Sequence, residues 1–247
     1  KAMLHSAQLL RETARFDLFG LHAEQISFDW GKIHQRKNDV VEKLRSGIEQ
    51  LIRANKIDLY SANGSVVSPH EVLLDDAEQT RLSGEHILIA TGSVPARPPI
   101  PGLDLPNVVT SDELLEGEDC SRNLAKEILI IGGGVIGVEF ASVFSSFGCK
   151  VTIVEALERI LPTMDREISQ NLSMILKKRG IEIHTGSMVE KIEQGENGLV
   201  CCFTEKGKQQ QVTAEQVLVA IGRRANTQGL FGENFSVECE RGRIVTD

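Results

Sequence analysis

Residues 127–155 read EILIIGGGVIGVEFASVFSSFGCKVTIVE, and no other stretch restricts the fold as much. The apolar run at its start has no polar alternation, as expected of a strand buried on both faces. Residues 135–147 are expected to form a helix closed by Gly148, and KVTIVE a second buried strand. Gly132, Gly134 and Gly137 stand between strand and helix in the spacing G-x-G-x-x-G. Glu155 ends the second strand 18 residues after Gly137, close to the ~20 expected of an acid that binds a ribose in such a unit.

Each residue in that pattern has a physical task. The first glycine permits a tight turn, the second lets backbone N–H groups reach a pyrophosphate, and the third lets helix and strand pack closely. A carboxylate at Glu155 accepts hydrogen bonds from ribose hydroxyls and repels a 2′-phosphate, so NAD is favoured over NADP; Arg159 is the nearest cation that could assist a phosphate. Glu139, in the first turns of the helix, complements the helix dipole or serves the site directly.

Ile168, Leu172, Ile175 and Leu176 mark a further helix closed by Gly180, and strands are expected at IEIHT, MVEKIE, LVCCF and QVLVAI. The order β-α-β-α-β, an antiparallel excursion and a final strand describes an α/β, doubly wound, Rossmann-like domain. Ahead of it, residues 1–15 read as helix. Ile33, Val40, Val41, Leu44, Ile48, Leu51 and Ile52 form the packing stripe of another, capped by Ser27 or Asp29. Strands are expected at KIDLY, GSVVS, EVLLD and HILIA. Five of the seven prolines fall in VPARPPIPGLDLP, which reads as a stiff connector.

Residues 83–93 and 213–223 resemble one another, each a strand ending in a glycine turn, ATGS in one and AIGR in the other. The chain therefore carries two similar strand-turn units and one glycine fingerprint.

With a net charge of −8 spread along 247 residues, no surface for a nucleic-acid backbone is expected. The apolar runs fall short of the ~20 residues of a membrane helix, so no membrane association is expected. The five cysteines form neither a C-x-x-C nor an even disulfide framework, which fits a reducing compartment such as the cytoplasm; no metal-ligand spacing is present.

The runs ILIATGSVPARPPIPGLDLPNVVTSDELL, ILIIGGGVIGVEFASVFSSFGCKVTIVEALERILPTMDREI and VLVAIGRRANTQGL, in that order, resemble the class I pyridine-nucleotide disulfide oxidoreductases, on their dihydrolipoamide dehydrogenase branch. The resemblance covers essentially the whole chain. It implies an incomplete FAD-binding domain over 1–110, an NAD-binding domain over 111–230 and a segment, 231–247, returning toward the FAD domain. For NAD it implies Gly132, Gly133, Gly134, Val135, Ile136, Gly137, Glu155, Ala220, Ile221, Gly222 and Arg223. Val189 would pack on the adenine and Glu139 would face the nicotinamide carboxamide.

For FAD the resemblance implies Lys1, Ala62, Thr91, Gly92 and Ser93. Ala62 stands where the family has a glycine, and Ala225 where a proline usually follows the Arg pair. The redox C-x-x-x-x-C pair and the FAD fingerprint would precede Lys1, and the catalytic His–Glu pair would follow Asp247, so no catalytic residue is expected within these residues. The implied reaction oxidises a dihydrolipoyl dithiol through a disulfide and FAD to NAD. The implied partners are the lipoyl-bearing subunit of a 2-oxo acid dehydrogenase or glycine cleavage complex, and a second copy of the parent in a homodimer. A glutathione or mercuric reductase, a transhydrogenase and a redox-inactive NAD(H)-binding module remain open alternatives.

Overall fold

The structure, a computed structural model, describes residues 1–246 except the side chains of Asp119 and Ser121; Asp247, the last residue of the expected return segment, lies outside the described residues. Helices α1 (Ala2–Thr13) and α2 (Trp30–Ala54) precede strands β1 (Gly64–Ser68), β2 (Glu71–Leu74), β3 (Arg81–Ser83) and β4 (Ser93–Pro95). There follow β5 (Val108–Thr110), α3 (Ser111–Glu116), α4 (Glu118–Arg122), β6 (Glu127–Ile131), α5 (Val135–Ser146), β7 (Lys150–Val154), α6 (Arg166–Lys178) and β8 (Glu182–His184). The remaining strands are β9 (Ser187–Gly195), β10 (Gly198–Glu205), β11 (Lys208–Ala214), β12 (Gln216–Val219), β13 (Arg223–Ala225), β14 (Cys239–Glu240) and β15 (Arg243–Ile244).

Two compact units result. One joins Lys1–Lys43 to Pro95–Gly222, and the other joins Leu44–Val94 to the residues from Arg223 onward. The start of the chain thus belongs with the glycine fingerprint, and the division falls within α2.

In the first unit five strands form a sheet in the order β5-β12-β6-β7-β8, every neighbouring pair parallel. The apolar runs explain why. In β6, Ile128 and Ile130 face one core while Leu129 and Ile131 face another, and all four are buried. The first core is closed by helices, through Met3 and Ala7 of α1, Trp30 of α2, Phe144 of α5 and Leu176 of α6. The second is closed by the antiparallel sheet β11-β10-β9: Leu199, Cys201 and Phe203 of β10 alternate inward with the period of a strand, and Val189 and Ile192 of β9 join them three residues apart across a bulge. Cys201 is wholly buried and its neighbour Cys202 only partly, as strand alternation requires.

The second unit has a smaller core. The sheet β1-β2-β3 buries Val66 and Leu74, and Val66 bridges to Phe231 while its N–H donates to Leu230 O at 2.8 Å.

Two local expectations are corrected. KIDLY and HILIA form no strand among the described residues, and Leu88 at the centre of HILIA is 92% exposed. Apolar residues supply the pattern of a strand, but a strand exists only with a hydrogen-bonded neighbour, and no described strand flanks either segment. The stripe on α2 forms its helix behind Asp29, which accepts from the Lys32 N–H, yet Val40, Val41, Leu44, Ile48 and Leu51 are exposed rather than packed. The proline segment begins where the units divide, after Val94, and from there packs within the first unit: Leu103 is buried with partly buried Ile100 and Leu105 against the second core, and Pro101 O accepts from the Ile192 N–H at 2.8 Å.

The paired burial of β6 sets a first prediction. In urea unfolding, Leu129→Ala is expected to lower stability by about 2–5 kcal/mol. Leu88→Ala is expected to change it by no more than about 0.5 kcal/mol.

Candidate functional site

The site lies where parallel strands β6, β7 and β12 end, which is where ligands bind in open α/β sheets. β6 gives way to Gly132 in a left-handed conformation, φ +107°, and a Cβ there would lie 2.4 Å from Ala220 O at the end of β12. Gly137, one turn into α5, passes so close that a Cβ would lie 2.1 Å from Gly132 O. Only glycine permits either approach. Helix α5 is capped by Gly134, which offers no side-chain hydrogen bond, and its first turn holds no acidic residue. Its leading N–H groups and the positive end of its dipole are therefore left to an external anion.

Beside that helix end is a cleft of about 550 Å³, within the range of a small-molecule site. Of the residues expected to bind NAD, the cleft brings together Gly132, Gly134, Val135, Ile136, Glu155, Val189, Ala220, Ile221 and Gly222. Gly133 and Gly137 stand behind this surface and support it. Glu139 is not among the lining residues; its carboxylate accepts from Lys1 Nζ, so the residues expected at nicotinamide and at FAD form an ion pair. Arg223 is turned to the other repeat, donating from Nε to Ser93 Oγ at 2.9 Å and from Nη2 to Ser93 O at 2.5 Å. Thr91 O and Gly92 O accept from the side chain and backbone of Asn226 at 3.3 and 3.0 Å, and Ala62 lies in an exposed bend.

Glu155 is the charged centre of the cleft and only 7% exposed. Its Oε2 accepts from the Gly133 N–H at 2.5 Å and its Oε1 from the Leu157 N–H at 2.7 Å. A carboxylate offers about four acceptor positions, so one remains on each oxygen, the complement of two neighbouring hydroxyls. Arg159, the nearest cation to a 2′-phosphate by sequence, donates instead through Nη2 to Pro162 O at 3.0 Å and Met164 O at 3.3 Å.

Sequence reasoning missed the walls. Pro98, Ile100, Leu157, Pro162 and Met188 also line the cleft and make it largely apolar. Met188 adjoins the expected Val189 on β9 and is 61% exposed, but a lone apolar residue on a strand gives no signal of its own. Pro98 and Ile100 come from the segment read as a connector. No group of three or more potential metal-ligating side chains occurs among the described residues.

A protein-family model described as pyridine nucleotide-disulphide oxidoreductase matches residues 1–247. The dihydrolipoyl dehydrogenase of Acholeplasma laidlawii is 38% identical over all of this chain and 71% of its own length. That of Bacillus subtilis (strain 168) is 38% identical over 99% of this chain and 53% of its own. Among solved structures, the HOCl-induced flavoprotein disulfide reductase RclA from Escherichia coli, as a Cu(II) complex, superposes with a TM-score of 0.81 at 34% identity, covering 100% of this chain and 51% of that one. The chain thus spans about half the length of the Bacillus and Escherichia proteins.

No disulfide joins the cysteines among the described residues. Burial pushes the thiols of Cys149 and Cys201 up to about 12, so neither is a nucleophile in the folded chain. With a thiol-reactive chromogen at about pH 8, exposed Cys239 is expected to react first. Cys149 and Cys201 are expected to react only after denaturation.

Proposed function

Because the chain belongs to the pyridine nucleotide-disulphide oxidoreductase family, we propose that it forms the NAD-binding domain, residues 111–230, of a flavoprotein disulfide oxidoreductase of the dihydrolipoamide dehydrogenase kind. Residues 1–110 and 231–247 contribute part of its FAD-binding domain. The observation that carries this reading is the buried Glu155 carboxylate, facing a cleft beside the uncapped start of α5 with one acceptor position open on each oxygen.

The residues present fit NAD. The α5 N–H groups suit a pyrophosphate, Glu155 suits an unphosphorylated ribose, and Val189, Leu157 and Met188 offer apolar walls to a base. They also fit one side of FAD: Gly92 takes φ +70°, and no atom lies within 4 Å of where its Cβ would be, leaving the Thr91–Ser93 turn open to close approach. Bound in the parent protein, NAD supplies a two-electron acceptor and FAD the relay from a dithiol. The protein's own part is binding and orientation, with Lys1 and Glu139 paired at the surface. We assign the lipoyl-bearing subunit of a 2-oxo acid dehydrogenase or glycine cleavage complex as the partner, and a homodimer as the parent's assembly. The similarity to the dihydrolipoyl dehydrogenases supports this assignment.

Calorimetric titration with NADH tests the site. The wild-type chain is expected to bind in the micromolar range, and Glu155→Ala to weaken binding by about 1.5–3 kcal/mol, the worth of hydrogen bonds to a charged group. A wild-type chain that does not bind NADH would falsify the reading. The 247 residues alone are expected to form no NADH from dihydrolipoamide, because no two of their five cysteines have the C-x-x-x-x-C spacing.

A further inference from the structure

Three glycines in succession begin the fingerprint, and the middle one, Gly133, has no place in the spacing G-x-G-x-x-G. Its backbone does not need glycine either, since it is absent from the residues with positive φ. What excludes a side chain is its surroundings. A Cβ on Gly133 would lie 2.8 Å from Ile160 Cγ2, 3.2 Å from Glu155 Cβ and 3.2 Å from Glu155 Oε2. Gly134 is the opposite case, with nothing within 4 Å of where its Cβ would be. The space before Gly134 is the cleft; the space before Gly133 is filled by the acid.

Gly133 also makes two backbone bonds to the same loop. Its N–H donates to Glu155 Oε2 and its carbonyl accepts from the Leu161 N–H at 2.8 Å. Glu155 is held at its own backbone as well, its N–H donating to His184 O at 2.8 Å and its carbonyl accepting from Ser187 at 2.9 Å. The carboxylate is thus fixed at both ends, and its second oxygen is tied by Leu157. A buried carboxylate tied by two N–H bonds, one on each oxygen, has little freedom to swing aside.

We propose that Gly133 is a positioning residue that sets the choice between NAD and NADP, acting through Glu155. This rests on the dinucleotide reading above. Discrimination by a carboxylate requires that it stay where a 2′-phosphate would come; a mobile Glu155 could turn away and admit the phosphate. The N–H of Gly133 and the missing methyl group together remove that freedom. Selectivity in this chain is therefore a property of the pair, Glu155 supplying the charge and Gly133 its place.

The test is calorimetric titration of the wild-type chain and its variants with NADH and with NADPH, each variant checked for folding by circular dichroism. Gly133→Ala is expected to narrow the NADH-over-NADPH preference about tenfold, chiefly through lost NADH affinity. Gly134→Ala is expected to weaken both cofactors and keep their ratio. Glu155→Gln narrows the preference by itself, and adding Gly133→Ala to it is expected to narrow it no further, because the second change acts only through the first.

A folded Gly133→Ala chain with the wild-type ratio, or additive effects in the double variant, overturns the proposal. Should Gly133→Ala not fold, combining it with Ile160→Ala removes the closest contact, 2.8 Å from Ile160 Cγ2, while keeping the one with Glu155, and an unchanged ratio in that folded variant is equally fatal. Wild-type chain that binds neither cofactor removes the dinucleotide reading itself, whereas binding with an unmoved ratio removes only the role of Gly133.

Discussion

The site depends on one close crossing of backbones. At the end of β6 the chain turns through Gly132 against the carbonyl of Ala220, and Gly137 passes over Gly132 O a turn later. Three segments meet there without side chains between them: the strand, its helix and the last strand of the sheet. Any methyl group at the crossing would push α5 off the sheet or part β6 from β12. Because the crossing is tight, the helix start is carried to the strand ends, and the cleft opens beside it.

The second determinant is the two-faced burial of the sheet. β6 and β7 have no polar side, so each face must be covered, and the chain covers them differently. Helices α1, α5 and α6 take one face, and β9–β11 take the other. The antiparallel cover brings Met188 and Val189 to the cleft, so packing of the core and shaping of the site are done by the same strand.

What was legible in the sequence follows from how local each cause is. The glycine fingerprint, Glu155 and the buried strands were readable because turn geometry, strand period and spacing act over a few residues. HILIA was misread because pairing is a relation to another segment, and a run such as Ile87–Leu88–Ile89 looks alike with or without a neighbour. In VPARPPIPGLDLP the prolines report stiffness, and the segment begins where the units divide, but the burial of Leu103 against the second core is decided only by the fold. Gly133 was grouped with its neighbours as a cofactor glycine. Its contact with Glu155 joins residues 22 apart, and no periodicity marks it.

The order of strands has a consequence for the timing of folding. In β5-β12-β6-β7-β8 the strand latest in the chain is second in space, between β5 and β6. During synthesis β6, β7 and β8 emerge together with α5 and α6, and they can pair at once, since their contacts are near in sequence. β5, made earlier, has no partner until Gln216–Val219 leaves the ribosome and joins it to β6. Leu129 and Ile131 wait for β9–β11 over the same interval. A nascent chain halted before Val219 thus holds an open sheet with apolar faces and an unpaired edge, the state in which a parallel sheet is most exposed to aggregation. The strand that completes the cleft is also the one that seals the fold.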